Sequence, residues 1–158
     1  MLLRGALVLL GLWGVSPILP PKTLLDGTAQ LCPEDDAKGD IAGLRGVNVY
    51  AFDTRKTQKI RAALRSIEAV KWDGDGVEAV RTFSSEYAKL MAAIKATPQL
   101  GAATSNRSGD FQIMVPRVDS VLLFAEEAVE GEPFFFASMV IPTQERDLVK
   151  IIVPMCNK

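Results

Sequence analysis

The sequence predicts a mainly β protein, an antiparallel sandwich of about seven strands interrupted once by an α-helical hairpin. Three observations carry that expectation. Apolar residues recur at every second position over much of the chain after residue 22, as half-buried strands require. Between about residues 56 and 98 the recurrence lengthens to every third or fourth residue, as amphipathic helices require. Turn-forming residues then return at short intervals: Ser108-Gly109, around Val118-Asp119, Glu130-Gly131 and Pro142-Thr143. That rhythm suits antiparallel strands joined by tight connections.

The chain has 158 residues, 48% hydrophobic and 23% charged, which is enough for one domain with a buried core and too apolar for extensive disorder. Its formal net charge is −1 with both signs interspersed, whereas a nucleic-acid surface needs clustered cations. The densest basic stretch, Arg55, Lys56, Lys59, Arg61 and Arg65, falls at helical spacing and reads as one solvated face. There is no histidine. Serine–histidine triads, histidine metal ligands and the usual neutral-pH general base are thereby excluded. An enzyme would have to work through carboxylates or lysine, so the expectation is a non-enzymatic protein with no cofactor and no metal.

Residues 1–21 open with a single charge, Arg4, followed by an uncharged run from Gly5 to Pro21. A cationic start followed by an apolar stretch reads as a secretory signal peptide. The run is at the lower edge of the roughly 17–25 residues that span a bilayer, and Pro17, Pro20 and Pro21 shorten any helix in it. An uncleaved membrane anchor and a buried segment are the alternatives. Gly14-Val15-Ser16 offers a cleavage site, although Pro17 is a poor residue to follow it, and Gly27-Thr28-Ala29 lies far from the apolar run. The expected location is extracytoplasmic: periplasmic, secreted or on the cell surface.

Residues 22–158 form the expected domain. In "TLLDGTAQLC", Leu25, Ala29 and Leu31 alternate with Asp26, Thr28 and Gln30, which predicts a half-buried first strand. "PEDDAKGD" is an acidic loop. "GVNVYAFD" is apolar on both faces and is expected to be central. Ile60, Leu64, Ile67 and Val70 make one helical stripe; Val77, Val80, Phe83, Tyr87, Met91 and Ile94 make a second, with "WDGDG" between them and Thr97-Pro98 as the stop. "GAAT", then Phe111, Ile113 and Val115, then "SVLLFAEEA", "EPFFFASMVI" and "RDLVKIIVPM" supply the remaining strands.

"ATSNRSGDFQIMVP" followed by "SVLLFAEEA" resembles the carboxypeptidase regulatory-like and transthyretin-like (prealbumin-like) modules, in which a threonine, a glycine turn, an aromatic, alternating apolars and a proline precede the next strand. The matching positions are Thr104, Gly109, Phe111, Val115, Pro116 and the Leu122/Phe124 pair. Upstream, Leu44, Gly46, Val47 and Val49 match the strand that these modules open with leucine, one residue and glycine. The resemblance runs from about Leu24 to Met155 outside the helical insertion. It departs at "RVDSV", where the modules often carry glycine and tyrosine, and in the size of the hairpin. It implies an Ig-like or transthyretin-like sandwich and a non-catalytic accessory or surface role.

In the related collagen-adhesin B-type modules, a lysine of the first strand and an asparagine of the last are covalently joined. Here Cys32 ends the first predicted strand and Cys156 the last, while no lysine stands where an Asn157 linkage would need one. Counting from inward Leu25, Ala29 and Leu31 puts Cys32 on the outer face, and counting from Val149, Ile151 and Val153 puts Cys156 outward too. A Cys32–Cys156 disulfide is therefore expected in an oxidising compartment; two unrelated thiols are the alternative. Closing so long a loop would contribute about 4–5 kcal/mol in the chain-entropy account.

The remaining candidates for chemistry are weak. Glu126 and Glu127 are adjacent on a strand, leave opposite faces and cannot share a substrate, so a rim position is the expected reading. Asp73, Asp75 and Glu78 are too closely spaced for a calcium loop. Asn106-Arg107-Ser108 satisfies a glycosylation sequon at a turn. Phe134, Phe135 and Phe136 cannot all point inward from one strand, so they are the candidate exposed contact unless the hairpin covers that sheet face. The expected function is a secreted or cell-surface binding or structural module whose partner is a protein or cell-envelope component. The alternatives are a membrane-tethered subunit of an envelope assembly docking through its hairpin, and a carboxylate-dependent enzyme.

Overall fold

A computed structural model describes residues 21–32, 43–72, 76–127 and 136–155. In chain order the elements are β1 (Lys22–Leu31), β2 (Val47–Asp53), a 3-10 turn (Thr54–Lys56), α1 (Gln58–Glu68), α2 (Gly76–Ala96), β3 (Gly101–Thr104), β4 (Asp110–Pro116), β5 (Ser120–Glu127), β6 (Phe136–Pro142) and β7 (Leu148–Met155). The strands form two sheets, β4-β1-β7 and β3-β2-β5-β6. The protein is mainly β, with two helices and the two-sheet arrangement of a β-sandwich.

The alternation in the sequence sets which side chains meet between the sheets. In β4, Phe111, Ile113 and Val115 are buried while the intervening residues are exposed, and β7 repeats the pattern with Val149, Ile151, Val153 and Met155. They pack against Val47, Val49 and Ala51 of β2 and Val121, Leu123 and Ala125 of β5. β2 and β5 are buried on both faces, because their other sides carry Phe52, Leu122 and Phe124 against Ile60, Leu64 and Ile67 of α1 and Phe83, Leu90 and Ile94 of α2. The helical pair therefore forms a third layer on the outer face of the four-stranded sheet.

The connection after β3 is closed by its own polar groups. Asn106 Oδ1 accepts the backbone N–H groups of Ser108 (2.8 Å) and Asp110 (3.0 Å), which occupies the exposed sequon asparagine in an Asx turn. Gly109 follows at φ +84°, a region where a side chain is strained, and a Cβ there would lie 2.4 Å from the carbonyl oxygen of Ala29.

One expectation about topology is corrected. The sheet pairings are antiparallel except that β1 and β7 run parallel, with Leu25 opposite Val149 and Leu31 opposite Met155. A parallel pair needs a long crossover, and here the crossover is the whole intervening domain. The expected signal peptide or anchor falls in residues 1–21, of which 1–20 lie outside the described residues, as do Asp73, Asp75, Phe134, Phe135 and Cys156.

Candidate functional site

Alternation along β2 and β5 turns Tyr50, Phe52, Leu122, Phe124 and Glu126 towards the hairpin. At the Glu126 end the cover is aromatic. Phe124 lies 5.8 Å from Phe136, Phe136 lies 5.8 Å from Tyr87, and Tyr87 stacks on Phe83 at 6.2 Å. Trp72, beyond the end of α1, tilts against Phe83 at 5.6 Å and is 52% exposed.

The cover stops short of the outer strand. A cavity of about 450 Å³ lies between Leu64, Ile67, Glu68, Val70, Trp72 and Phe83 on the helical side and Phe136–Met139 with Pro154 on the sheet side. That volume is within the range of small-ligand pockets, about 300–1,000 Å³. Of the described lining residues, Glu68 is the only one with an ionisable side chain.

Behind this wall Glu126 is held by two phenols. Tyr50 Oη donates to Glu126 Oε1 at 3.1 Å and Tyr87 Oη donates to Glu126 Oε2 at 3.1 Å. Burial pushes the Tyr87 phenol well above its ordinary range, and the Glu126 charge and hydrogen bond push it in the same direction. The same causes, in the same order, raise Tyr50. Glu126 thus fastens α2 to the sheet. It is not the rim position that its place near a strand end suggests, because β5 is an interior strand and the hairpin arches over it.

Several sequence candidates separate in space. Phe136 is buried (5% exposed) beneath the hairpin and is not an exposed contact, since Tyr87 and Phe124 cover its ring. Cys32 is buried (7% exposed) where alternation predicts an outer-face position, because the strand ends there and strict alternation ends with it. Its N–H donates to the Met155 carbonyl at 3.1 Å, and there is no free cysteine among the described residues. Glu78 lies 3.6 Å from Arg81, and no group of three or more His, Cys, Asp or Glu side chains capable of holding a metal occurs among the described residues. Lys59, Arg61 and Arg65 are exposed on α1, but Lys59 and Arg61 flank buried Ile60 on opposite sides, so the basic residues do not form one face. No described helix is long and apolar enough to cross a membrane.

Sequence reasoning did not find the cavity or the two tyrosines. Tyr87 was visible only as one member of a helical stripe, and its partner lies 39 residues away.

No protein family matches the chain, and no curated protein matches it. Among solved structures it is similar to the shaft pilin SpaA of Lactobacillus rhamnosus GG, with a TM-score of 0.43 and 11% identity over 87% of this chain and 50% of the pilin. It is also similar to the pilus backbone protein RrgB of Streptococcus pneumoniae, with a TM-score of 0.30 and 10% identity over 84% of this chain and 41% of that one. The chain thus spans about half the length of the shaft pilin or less of the pilus backbone chain. A likeness this distant carries no function from those proteins to this one.

Proposed function

We propose that this chain is an extracytoplasmic, non-catalytic β-sandwich module of the transthyretin-like kind, which holds an apolar group of a protein partner in the cavity beneath its helical hairpin. The observation that carries the reading is the composition of that cavity. Apart from Glu68 and Ser138 its described lining side chains are apolar, and the lone carboxylate of Glu68 has no second ionisable group among the described lining residues with which to exchange a proton. Such a lining favours binding over chemistry.

The compartment rests on the apolar amino terminus and on the two cysteines. Cys32 follows Leu31, which lies opposite Met155 across the β1–β7 pair, and a disulfide between Cys32 and Cys156 would tie the two parallel strands together. Exposed Val77 and Val80 on α2 (68% and 48%) favour a second reading, in which the hairpin docks a tethered subunit onto an envelope assembly.

The test has two parts. Mass spectrometry of the protein from its native host should find an amino terminus within residues 17–30 and a peptide linking Cys32 to Cys156. An intact amino terminus favours the tethered subunit, and two free thiols remove the disulfide. For the cavity, the apolar dye anilinonaphthalene sulfonate should bind saturably and quench Trp72, and Ser138→Trp should abolish binding by filling the space. Dye binding unchanged by that substitution would place the site elsewhere.

A further inference from the structure

We propose that β6 is a pairing edge, and that its partner is β6 of a second copy of this chain, joined antiparallel about a twofold axis at Ser138. The proposal deepens the reading above by naming what lies over the cavity.

The four outer strands differ in how they are protected. Unpaired N–H and C=O groups along an edge invite another strand, and proteins blunt edges by shortness, charge or proline. β3 is only 4 residues long. β4 carries exposed Asp110 and ends on Pro116. β7 carries exposed Lys150 in its middle and Pro154 towards its end. β6 has no charge anywhere and no proline before Pro142, its last residue. It pairs with β5 on one side and with no strand among the described residues on the other.

The side chains of β6 are self-complementary in one register. Met139 and Ile141 face the inter-sheet core. By alternation Ser138 and Val140 share the side of Phe136, where the hairpin and the cavity lie. Ser138 lines the cavity, and Val140, beyond it, is 55% exposed. Antiparallel pairing centred on Ser138 sets Val140 of each copy opposite Phe136 of the other. Directly opposed Cβ atoms on paired strands lie about 4.5–5.5 Å apart, so each exposed valine would rest at the other copy's cavity. A twofold contact of this kind uses the same patch twice and needs no third component. The net charge of −1 sets little repulsion against it.

The test uses the full chain. Ser138→Cys should form a disulfide-linked dimer on a mild oxidant and run as one on a non-reducing gel. Thr104→Cys, exposed on the opposite outer strand, should give no dimer, and any mispairing with Cys32 or Cys156 would appear in both variants. In sedimentation the wild type should associate reversibly with concentration, and Val140→Lys should lose that association with its circular dichroism unchanged. Association that survives Val140→Lys, as one driven by residues 1–20 would, overturns the assignment to β6. A Ser138→Cys band no stronger than that of Thr104→Cys, or a wild type that stays monomeric, overturns the proposal. If the dye still binds saturably in that case, the cavity reading stands and only the identity of the occupant falls.

Discussion

Between the sheets, β2 and β5 present Val47, Val49, Ala51, Leu123 and Ala125 to the apolar faces of β1, β4 and β7. On their other side the same two strands present Tyr50, Phe52, Phe124 and Glu126 to the hairpin. The first interface is closed to the point of contact with backbone: Phe111 lies across Gly27, where a Cβ would meet the ring at 2.3 Å. The second is built from larger, flatter groups, has a carboxylate between two phenols and leaves about 450 Å³ unfilled at one end. Two strands thus serve two kinds of packing. The layer between the sheets is closed against backbone at Gly27, and the layer that carries the candidate site retains space for another group.

The contrast can be broken most severely at Gly109. Gly109→Ala sets a side chain at φ +84° and a Cβ 2.4 Å from the Ala29 carbonyl, with little room to yield. The expected loss is about 3 kcal/mol or more, read from the urea midpoint. The next comparison uses one deletion in both layers. Leu123→Ala, between the sheets at 1% exposure, should cost about 4 kcal/mol; Leu64→Ala, on the cavity wall, should cost about 2. Equal losses would mean that the cavity wall is packed as tightly as the sandwich, which would remove the contrast.

What the sequence could disclose divides along the same line. Phe111, Ile113 and Val115 alternate, and Ile60, Leu64 and Ile67 recur at helical spacing, so local period alone reports which faces are apolar. The parallel pairing of β1 with β7 was not legible, since register between the two ends of a chain leaves no local period. The burial of Phe136 depended on how far the hairpin reaches, and the cavity is what remains where it stops. Glu126 was legible as a strand residue. Its role required Tyr50 and Tyr87, 76 and 39 residues distant, to converge on it.

Glu126→Gln probes the polar fastening of the hairpin layer. Glutamine keeps the shape but replaces one carboxylate acceptor with a donor, so the expected loss is about 1 kcal/mol. The pH dependence has a definite sign. Tyr50 and Tyr87 are raised in the folded state, so their contribution is complete below the unfolded phenol value of about 10 and is lost as pH rises through the folded values. Tyrosinate absorbance should therefore rise late in the native wild type. In Glu126→Gln it should rise earlier, because the neighbouring charge is gone while burial remains.

The smallest effect is expected where the chain passes from one layer to the other. Asp53 ends β2, and its carboxylate accepts from the backbone N–H of Arg55 at 3.0 Å and from the Arg55 guanidinium at 2.7 Å. The hydrogen bond from the Arg55 side chain, aided by the backbone bond and the charge, holds the Asp53 carboxyl below its ordinary value, against the opposing effect of burial. A lowered folded value means that stability is complete above the unfolded value of about 3.9 and drains away as pH falls through the folded one. Asp53→Asn retains an acceptor for the Arg55 N–H but loses the charge. The variant should be slightly less stable than wild type at neutral pH, and the gap should close in acid as wild-type Asp53 takes up its proton. Arg55 is largely exposed, so solvent screening keeps the difference small and added salt should shrink it further. A gap that held constant from neutral pH into acid would show that the junction depends on the turn geometry set by Thr54 and Thr57, whose hydroxyls bond Ser120 and the Thr54 carbonyl, and not on the Asp53 charge.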